Sequence, residues 1–437
     1  MEHTGGCAPR QTRGSTERLR GTPAGPRQLW APARNRKMTP LLFQLITRIQ
    51  EEGPLTFAAF MEAALYDPEH GYYGSGRARI GSRGDFHTSV SVGPLFGALL
   101  ARQFVEMWER LGCPSEWTLV EQGAFDGQLA ADVLSALEGF APGCFDSTIL
   151  RLVEPLAPLR ERQRERLSTF GSRVRWHASL EELPPFCGVH YSNELLDAFP
   201  VHRLRLTDSG WREMRVGTDG AALEWVETQV QEPAVRDAAA LLCRREPGAH
   251  AEVCLGHASL LAAVGAKLTR GWLLALDYGM SDAELALPIR RDGTLSAYLQ
   301  QRRGGDLLSI PGEQDLTAQV NFSALTRHAL EGGWTLEGFA EQHRFFTGLA
   351  PLHFKDATAS LTGQEQRALL AFRTLTHPQL MGFQFKALCL GRLAERDGSA
   401  ASPQPPKRPL AGLALARNPE ERLFGRPADR DPESHGV

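Results

Sequence analysis

Trp117-Thr-Leu-Val-Glu-Gln-Gly-Ala-Phe-Asp-Gly127 runs directly into the helical stretch Leu129–Glu138, and this junction decides the fold class. A short apolar run stops at an acid, two glycines bracket a tight turn, and the hydrophobic period then changes from two to that of a helix. Moving outward along the chain, the same change repeats. Ile149–Glu154, Val174–His177, Gly188–Ser192 and Gly271–Asp277 read as short strands, and the gaps among the first of them hold helical stretches such as Leu156–Leu167. Strands alternating with helices predict βαβ units, a parallel sheet and right-handed crossovers. Val201–Val226 instead predicts antiparallel hairpins inserted into that sheet. Upstream, Pro40–Glu51, Thr56–Leu65 (stopped by Asp67-Pro68) and Leu95–Leu111 carry apolar residues at helical spacing.

The expected architecture is therefore α/β: a Rossmann-like sheet with helices on both faces, plus an inserted and flanking helical and β-hairpin lobe. Four segments follow: an N-terminal extension over 1–37, a helical and loop lobe over 38–117, the Rossmann-like core with its insertions over 118–396, and a tail over 397–437. Both end segments are rich in Pro, Gly, Ala or Arg and poor in sustained periodicity, so disorder is expected for each. The first is Arg-rich and acid-poor, as transit peptides are, but its Gly and Pro break an amphipathic helix; a solvated extension preceding Met38 and a cytoplasmic protein are expected.

Composition narrows the function classes. Across 437 residues, 48 Lys and Arg stand against 51 Asp and Glu, a formal charge of −3, which argues against a dedicated nucleic-acid binder. No apolar run approaches the roughly 20 residues of a membrane span. Seven cysteines without a CxxC pair read as scattered thiols, and His87, His190 and His202 share no metal-ligand spacing, so no metal is expected.

Ligands of an open parallel sheet bind outside the carboxyl ends of its strands, where strand order reverses. At the first strand end, Gly123 and Gly127 let the backbone turn and approach a ligand closely; a chance βα turn is the competing reading. The turn is neither G-x-G-x-x-G nor a P-loop. At the second strand end, Glu154 is placed to accept hydrogen bonds from ribose hydroxyls, against the alternative of an exposed carboxylate opening a loop. Asp126 puts negative charge at a helix N-terminus where a pyrophosphate would sit. Together with Glu121 beside the turn, this favours an adenosyl sulfonium, S-adenosylmethionine, over NAD.

Further stretches sharpen that reading: Tyr66-Asp-Pro-Glu-His-Gly-Tyr-Tyr73, Gly84-Asp-Phe-His-Thr-Ser89, Val153-Glu-Pro155, Ser192-Asn-Glu-Leu-Leu-Asp-Ala-Phe-Pro200, Leu276-Asp-Tyr-Gly279, Asp315-Leu-Thr-Ala-Gln-Val320 and Met381-Gly-Phe-Gln-Phe-Lys386. In this order, from about residue 54 to 386, the chain resembles the MidA-like S-adenosylmethionine-dependent methyltransferases, whose mitochondrial members are complex I assembly factors. It departs from them twice. Gly123-Ala-Phe-Asp-Gly127 stands where many members have Gly-Pro-Gly-x-Gly, and Asn321 follows Val320 where the family commonly has an acid.

The resemblance implies methyl transfer to a protein arginine, with symmetric dimethylarginine as product and a respiratory-complex subunit as a natural substrate. Another acceptor, or a noncatalytic assembly chaperone that keeps the fold, are the competing functions. On the methyltransferase reading, Glu121, Gly123, Gly127, Glu154 and Asn193 are the cofactor-binding candidates. Glu194 is the candidate guanidinium clamp, because a carboxylate accepts paired hydrogen bonds and drains charge from the attacking nitrogen. Asp197 supports it, or caps a turn before Phe199-Pro200. Asp85 closes over the site, or fixes its own turn; Phe86 and Tyr278 are assigned to the acceptor pocket, with a packed structural role as the alternative for Tyr278.

Overall fold

The computed structural model describes residues 38–76, 78, 89–243, 245–299, 302–354, 363–393 and 408–425. Asp85, Phe86 and the extension over 1–37 lie outside the described residues. The core sheet is built from β1 (Trp117–Gln122), β2 (Thr148–Val153), β3 (Val174–His177) and β4 (Phe186–Asn193). A four-stranded antiparallel sheet follows, β5 (His202–Thr207), β6 (Gly210–Thr218), β7 (Leu223–Gln229) and β8 (His250–Val253), ordered β7-β6-β5-β8. The chain returns to the core as β9 (Leu268–Met280). It then leaves for a small sheet of β10 (Ser296–Leu299), β11 (Arg302–Arg303) and β12 (Asp315–Thr317). It closes with β13 (Val320–Asn321), β14 (Thr335–Glu341) and β15 (Phe385–Arg392).

The core order is β14-β15-β9-β4-β1-β2-β3, with β13 paired to β9. Strands β3, β2, β1, β4 and β9 are parallel, and β15 runs antiparallel to both β9 and β14. From β1 the chain builds outward to β2 and β3, then crosses back to β4 on the other side. The reversal therefore falls between β1 and β4, as the expected fold requires, and it opens a crevice beyond their carboxyl ends.

Four helices lead the chain: α1 (Pro40–Glu52), α2 (Phe57–Tyr66), α3 (Leu95–Arg110) and α4 (Gln128–Phe140). Thr39 and Thr56 cap α1 and α2 through their side-chain oxygens, which accept from the amides of Leu42 and Ala59. Helix α3 was grouped with the N-terminal lobe by sequence, but it belongs to the core. Its buried Phe96, Leu99, Leu100, Phe104 and Met107 pack with α4 and with Trp117 and Leu119 on one face of the sheet. The opposite face is covered by the helices Gly256–Lys267 and Phe322–Glu331. Helices α1 and α2 form a separate cluster with β6 and β12, so the N-terminal helices and the inserted hairpins make one lobe.

The C-terminal tail expectation also changes. Residues 408–425 dock on the core, burying Leu410, Leu413 and Leu423. The amides of Ala411 and Gly412 donate to Glu106 (2.8 Å) and Gln103 (2.9 Å) on α3, and Arg422 pairs with Glu341 at 2.8 Å. A single 3-10 turn and one short helix make these contacts, so no long period marks them in the sequence. Asn321, the family departure, caps the helix Phe322–Glu331 by accepting from Ala324 (3.0 Å) and donates to Asp282 (3.2 Å). Those are contacts an amide makes in full and an acid only in part.

Candidate active site

A cavity of about 590 Å³ lies in the crevice at the ends of β1, β2 and β4. Its wall includes Glu121, Gly123, Asp126, Glu154, Asn193, Glu194 and Asp197 from the sheet side, and Glu62, Tyr66 and Tyr73 from the N-terminal lobe. Six of the residues lining it are carboxylates, and none of the described ones is Lys or Arg. A cavity lined in this way favours a cation over an anion.

The turn after β1 is shaped by three residues in left-handed conformation: Gly123 (φ 75°), Phe125 (φ 48°) and Gly127 (φ 81°). A Cβ on Gly123 would stand 2.9 Å from Leu195 Cδ1, so the close approach of the two strand ends depends on glycine there. Gly127 is the N-cap of α4, and Asp126 accepts from the Gln128 amide at 3.1 Å while pairing with Arg166 at 2.7 Å. Asp126 is thus neutralised from outside, not by a ligand. Gly127 does not line the cavity; it shapes the turn that does.

Glu121 sits at the base of the cavity, where the Tyr191 hydroxyl on β4 donates to its Oε2 at 2.7 Å. Burial pushes its carboxyl up to about 8, with the Tyr191 bond opposing. Glu154 is 3% exposed; its Oε1 accepts from the Leu156 amide (3.0 Å) and its Oε2 from Gln163 Nε2 (3.2 Å). Burial raises it to about 7 against those two donors.

Glu194 closes the other end. It follows β4 with φ 52°, a left-handed conformation for a side-chain-bearing residue, held by its own amide donating to Leu276 O (2.9 Å). Oε1 accepts from the Ser89 amide and from Asn193 Nδ2, each at 3.0 Å, which leaves Oε2 for a ligand. Burial and, second, the charge of Asp197 lift its carboxyl to about 8. Asp197 is buried; its Oδ2 accepts from the Tyr278 hydroxyl, while Oδ1 has no hydrogen-bond partner, and the same holds for Asn193 Oδ1. Asp277, in the last third of β9, accepts from the amides of Leu195 (3.1 Å) and Leu196 (2.8 Å), and burial holds its carboxyl well above the ordinary range. It thereby shapes the loop that carries Glu194 and Asp197.

Of the sequence-assigned residues, the structure gathers Glu121, Gly123, Glu154, Asn193, Glu194 and Asp197 around one cavity. Tyr278 is not part of its wall: it packs edge-on against Phe385 (5.5 Å) and reaches the site only through Asp197. The sequence reading left Tyr66, Tyr73, Glu62 and Gln163 unassigned. Tyr66 and Tyr73 stack at 5.9 Å, with their hydroxyls donating to Ala198 O (2.9 Å) and Asp315 Oδ1 (3.0 Å). Their hydroxyls are used up in the wall, so they frame the cavity with their rings. Tyr66 and Tyr73 bound a stretch that carries the family resemblance, the one signal that could have flagged them.

A family model for S-adenosyl-L-methionine-dependent methyltransferases matches residues 99–340. The mouse mitochondrial protein arginine methyltransferase NDUFAF7 is 31% identical over 389 residues, covering 82% of this chain and 86% of its own. The human protein of the same name is 29% identical over 390 residues, with 82% and 85% covered. A crystal structure of a Burkholderia thailandensis protein bound to S-adenosyl-homocysteine matches with a TM-score of 0.72 at 28% identity, over 86% of this chain and 95% of that one. These relatives overturn the expected cytoplasmic location, since the mouse, cattle and human proteins are all mitochondrial by name.

Proposed function

This chain belongs to the S-adenosyl-L-methionine-dependent methyltransferase family that its residues 99–340 match, and on that premise we propose that it methylates arginine side chains of a protein in mitochondria. Symmetric dimethylarginine as the product and a respiratory-complex subunit as the substrate belong to the same proposal, by family resemblance. The observation that carries it is one cavity with an acid at each end, Glu154 after β2 and Glu194 after β4, and no described cation between them.

The residues present fit the cofactor. The turn holds Gly123 at φ 75°, a conformation that favours glycine, with the Leu195 side chain 2.9 Å from where a Cβ would stand, and Glu154 keeps a carboxylate for ribose hydroxyls at the position such sheets use. Bound there, S-adenosylmethionine supplies an electrophilic methyl on a sulfonium. The chain's own task is to present the acceptor. Glu194 Oε2, left open because Oε1 takes both donors, offers an acceptor oxygen to the N–H groups of a guanidinium, with the Asp197 carboxyl buried behind it. Because Ser89 and Asn193 fix Glu194 Oε1, the carboxylate is oriented before the acceptor arrives, which lowers the entropy lost in reaching an in-line geometry. Glu194 takes hydrogen bonds from the guanidinium, drawing positive charge away from the attacking nitrogen, and accepts the proton released on methylation.

Calorimetry with S-adenosylmethionine and the purified chain tests the first half: saturable binding is expected, and none would remove the enzyme reading. Mass spectrometry of arginine methylation in wild-type and deletion cells tests the second. At least one methyl-arginine peptide should vanish on deletion; an unchanged set would remove arginine as the acceptor.

A further inference from the structure

Gln163, fully buried on the helix Ala157–Arg166, joins two residues of the cavity wall, Phe125 and Glu154, to a third strand behind it. Its Nε2 donates to the Phe125 carbonyl in the turn after β1 (2.9 Å) and to Glu154 Oε2 after β2 (3.2 Å), and its Oε1 accepts from Trp176 Nε1 on β3 (3.1 Å). We propose that Gln163 is the positioning residue of the cofactor site, a single amide that fixes the Gly turn and the ribose acid relative to each other. The proposal rests on the reading above that S-adenosylmethionine spans those two elements.

Three of the amide's four hydrogen bonds are made. Two N–H groups serve two acceptors, and the Trp176 bond decides which end of the amide faces Phe125 and Glu154. Without that bond the amide could turn and set its oxygen against the Glu154 carboxylate. The helix packs directly against the turn: a Cβ on Gly127 would lie in van der Waals contact with Gln163 Cα, at 3.5 Å. Arg166, one turn further on, ties the same helix to the carbonyl of Asp126 (3.0 Å) and to its carboxylate, so the helix braces the turn at two points. Donation from Gln163 also favours the ionised form of Glu154, the form that accepts from ribose hydroxyls.

Binding of S-adenosyl-homocysteine to the full chain, measured by calorimetry from pH 6 to 9, tests the brace. Gln163→Met keeps the volume and removes both donors. It should weaken binding at least tenfold at pH 8 and move the pH midpoint of binding upward, with the loss in cofactor affinity and not in the acceptor KM. Trp176→Phe, which only frees the amide to turn, should weaken binding about threefold; it carries the test if Gln163→Met does not fold, and unaltered binding would then overturn the proposal. Gln163→Met binding within twofold of wild type at an unmoved midpoint overturns it as well. Glu154→Ala separates the two readings. If it weakens binding while Gln163→Met does not, the brace alone fails; if it binds like wild type, the ribose assignment fails and takes the brace with it.

Discussion

Glu194 and Gly127 show how much of the site rests on backbone conformation. A valine at Gly127 would have to adopt φ near 81°, which costs a β-branched residue about 1–2 kcal/mol or more, and its branches would meet Leu167 and Gln163. Gly127→Val should therefore weaken S-adenosylmethionine binding at least tenfold by calorimetry, and Gly127→Ala less; equal affinities for all three proteins would count against the turn as part of the site. Glu194→Gln asks a different question. The amide oxygen can still accept from the Ser89 and Asn193 groups that hold Oε1, so the loop should keep its shape. What disappears is the charge and the proton acceptor that the proposed mechanism assigns to Glu194, and a positioned proton acceptor contributes roughly 10²–10⁴ in rate. A single-turnover methylation assay should show a loss of that order with cofactor affinity nearly intact. Loss of cofactor affinity instead would place Glu194 in the wrong half of the cavity.

The elements differ in how far the sequence revealed them. Trp117–Gly127 announces itself because a strand, a turn with two glycines and an amphipathic helix are all local patterns, and Glu154 and Glu194 inherit their positions from strand ends read the same way. The pieces that stayed hidden depend on distant partners. Asp277 anchors the amides of Leu195 and Leu196 from the neighbouring strand β9, and Tyr73 meets Asp315 from the inserted sheet; nothing near either residue in the chain marks the pairing. Periodicity showed that α3 buries one face but not that the face belongs to the sheet core. The segment 408–425 was missed for a related reason, since its apolar residues Leu410, Leu413 and Leu423 are few and held by a turn and a six-residue helix. Its docking has a measurable consequence. Leu413 is 3% exposed and packs where a Cβ on Gly338 of β14 would lie 2.7 Å from it, and a buried Leu→Ala change costs about 2–5 kcal/mol. Urea unfolding of Leu413→Ala should show a loss in that range; a change within about 0.5 kcal/mol, the usual bound for surface positions, would return the segment to the status of a tail.

At the scale of the molecule, the fold gathers carboxylates into one cavity whose described lining holds no Lys or Arg, with only Asp126 paired from outside by Arg166, and stability must register that. Burial raises Glu121 and Glu194 to about 8, whereas a carboxyl in the unfolded chain titrates near 4.3. The folded state therefore binds more protons than the unfolded one as these groups titrate, and the stability they contribute below the unfolded value is lost as pH rises through the folded value. His190 and His257, lowered by burial to about 3 and about 4, act in the opposite sense, but only as pH falls below the ordinary histidine range. Between pH 7.5 and 9 these acids set the slope together with buried thiols such as Cys144 and Cys254, which burial pushes up to about 12 against an unfolded value near 8.5, so the part due to the acids is the part that a change at Glu121 removes. The melting temperature of the ligand-free protein should fall by several degrees across that interval, and Glu121→Gln, which keeps an acceptor for the Tyr191 hydroxyl, should flatten the decline. A bound sulfonium favours the ionised carboxylates, so the stabilisation given by S-adenosylmethionine should be larger at pH 8.5 than at pH 6.5. Scanning calorimetry with and without the cofactor measures both. A melting temperature that stays level from pH 7.5 to 9 without ligand would mean that the cavity's acids are solvated, and that the cavity is not the charge-selective site its lining suggests.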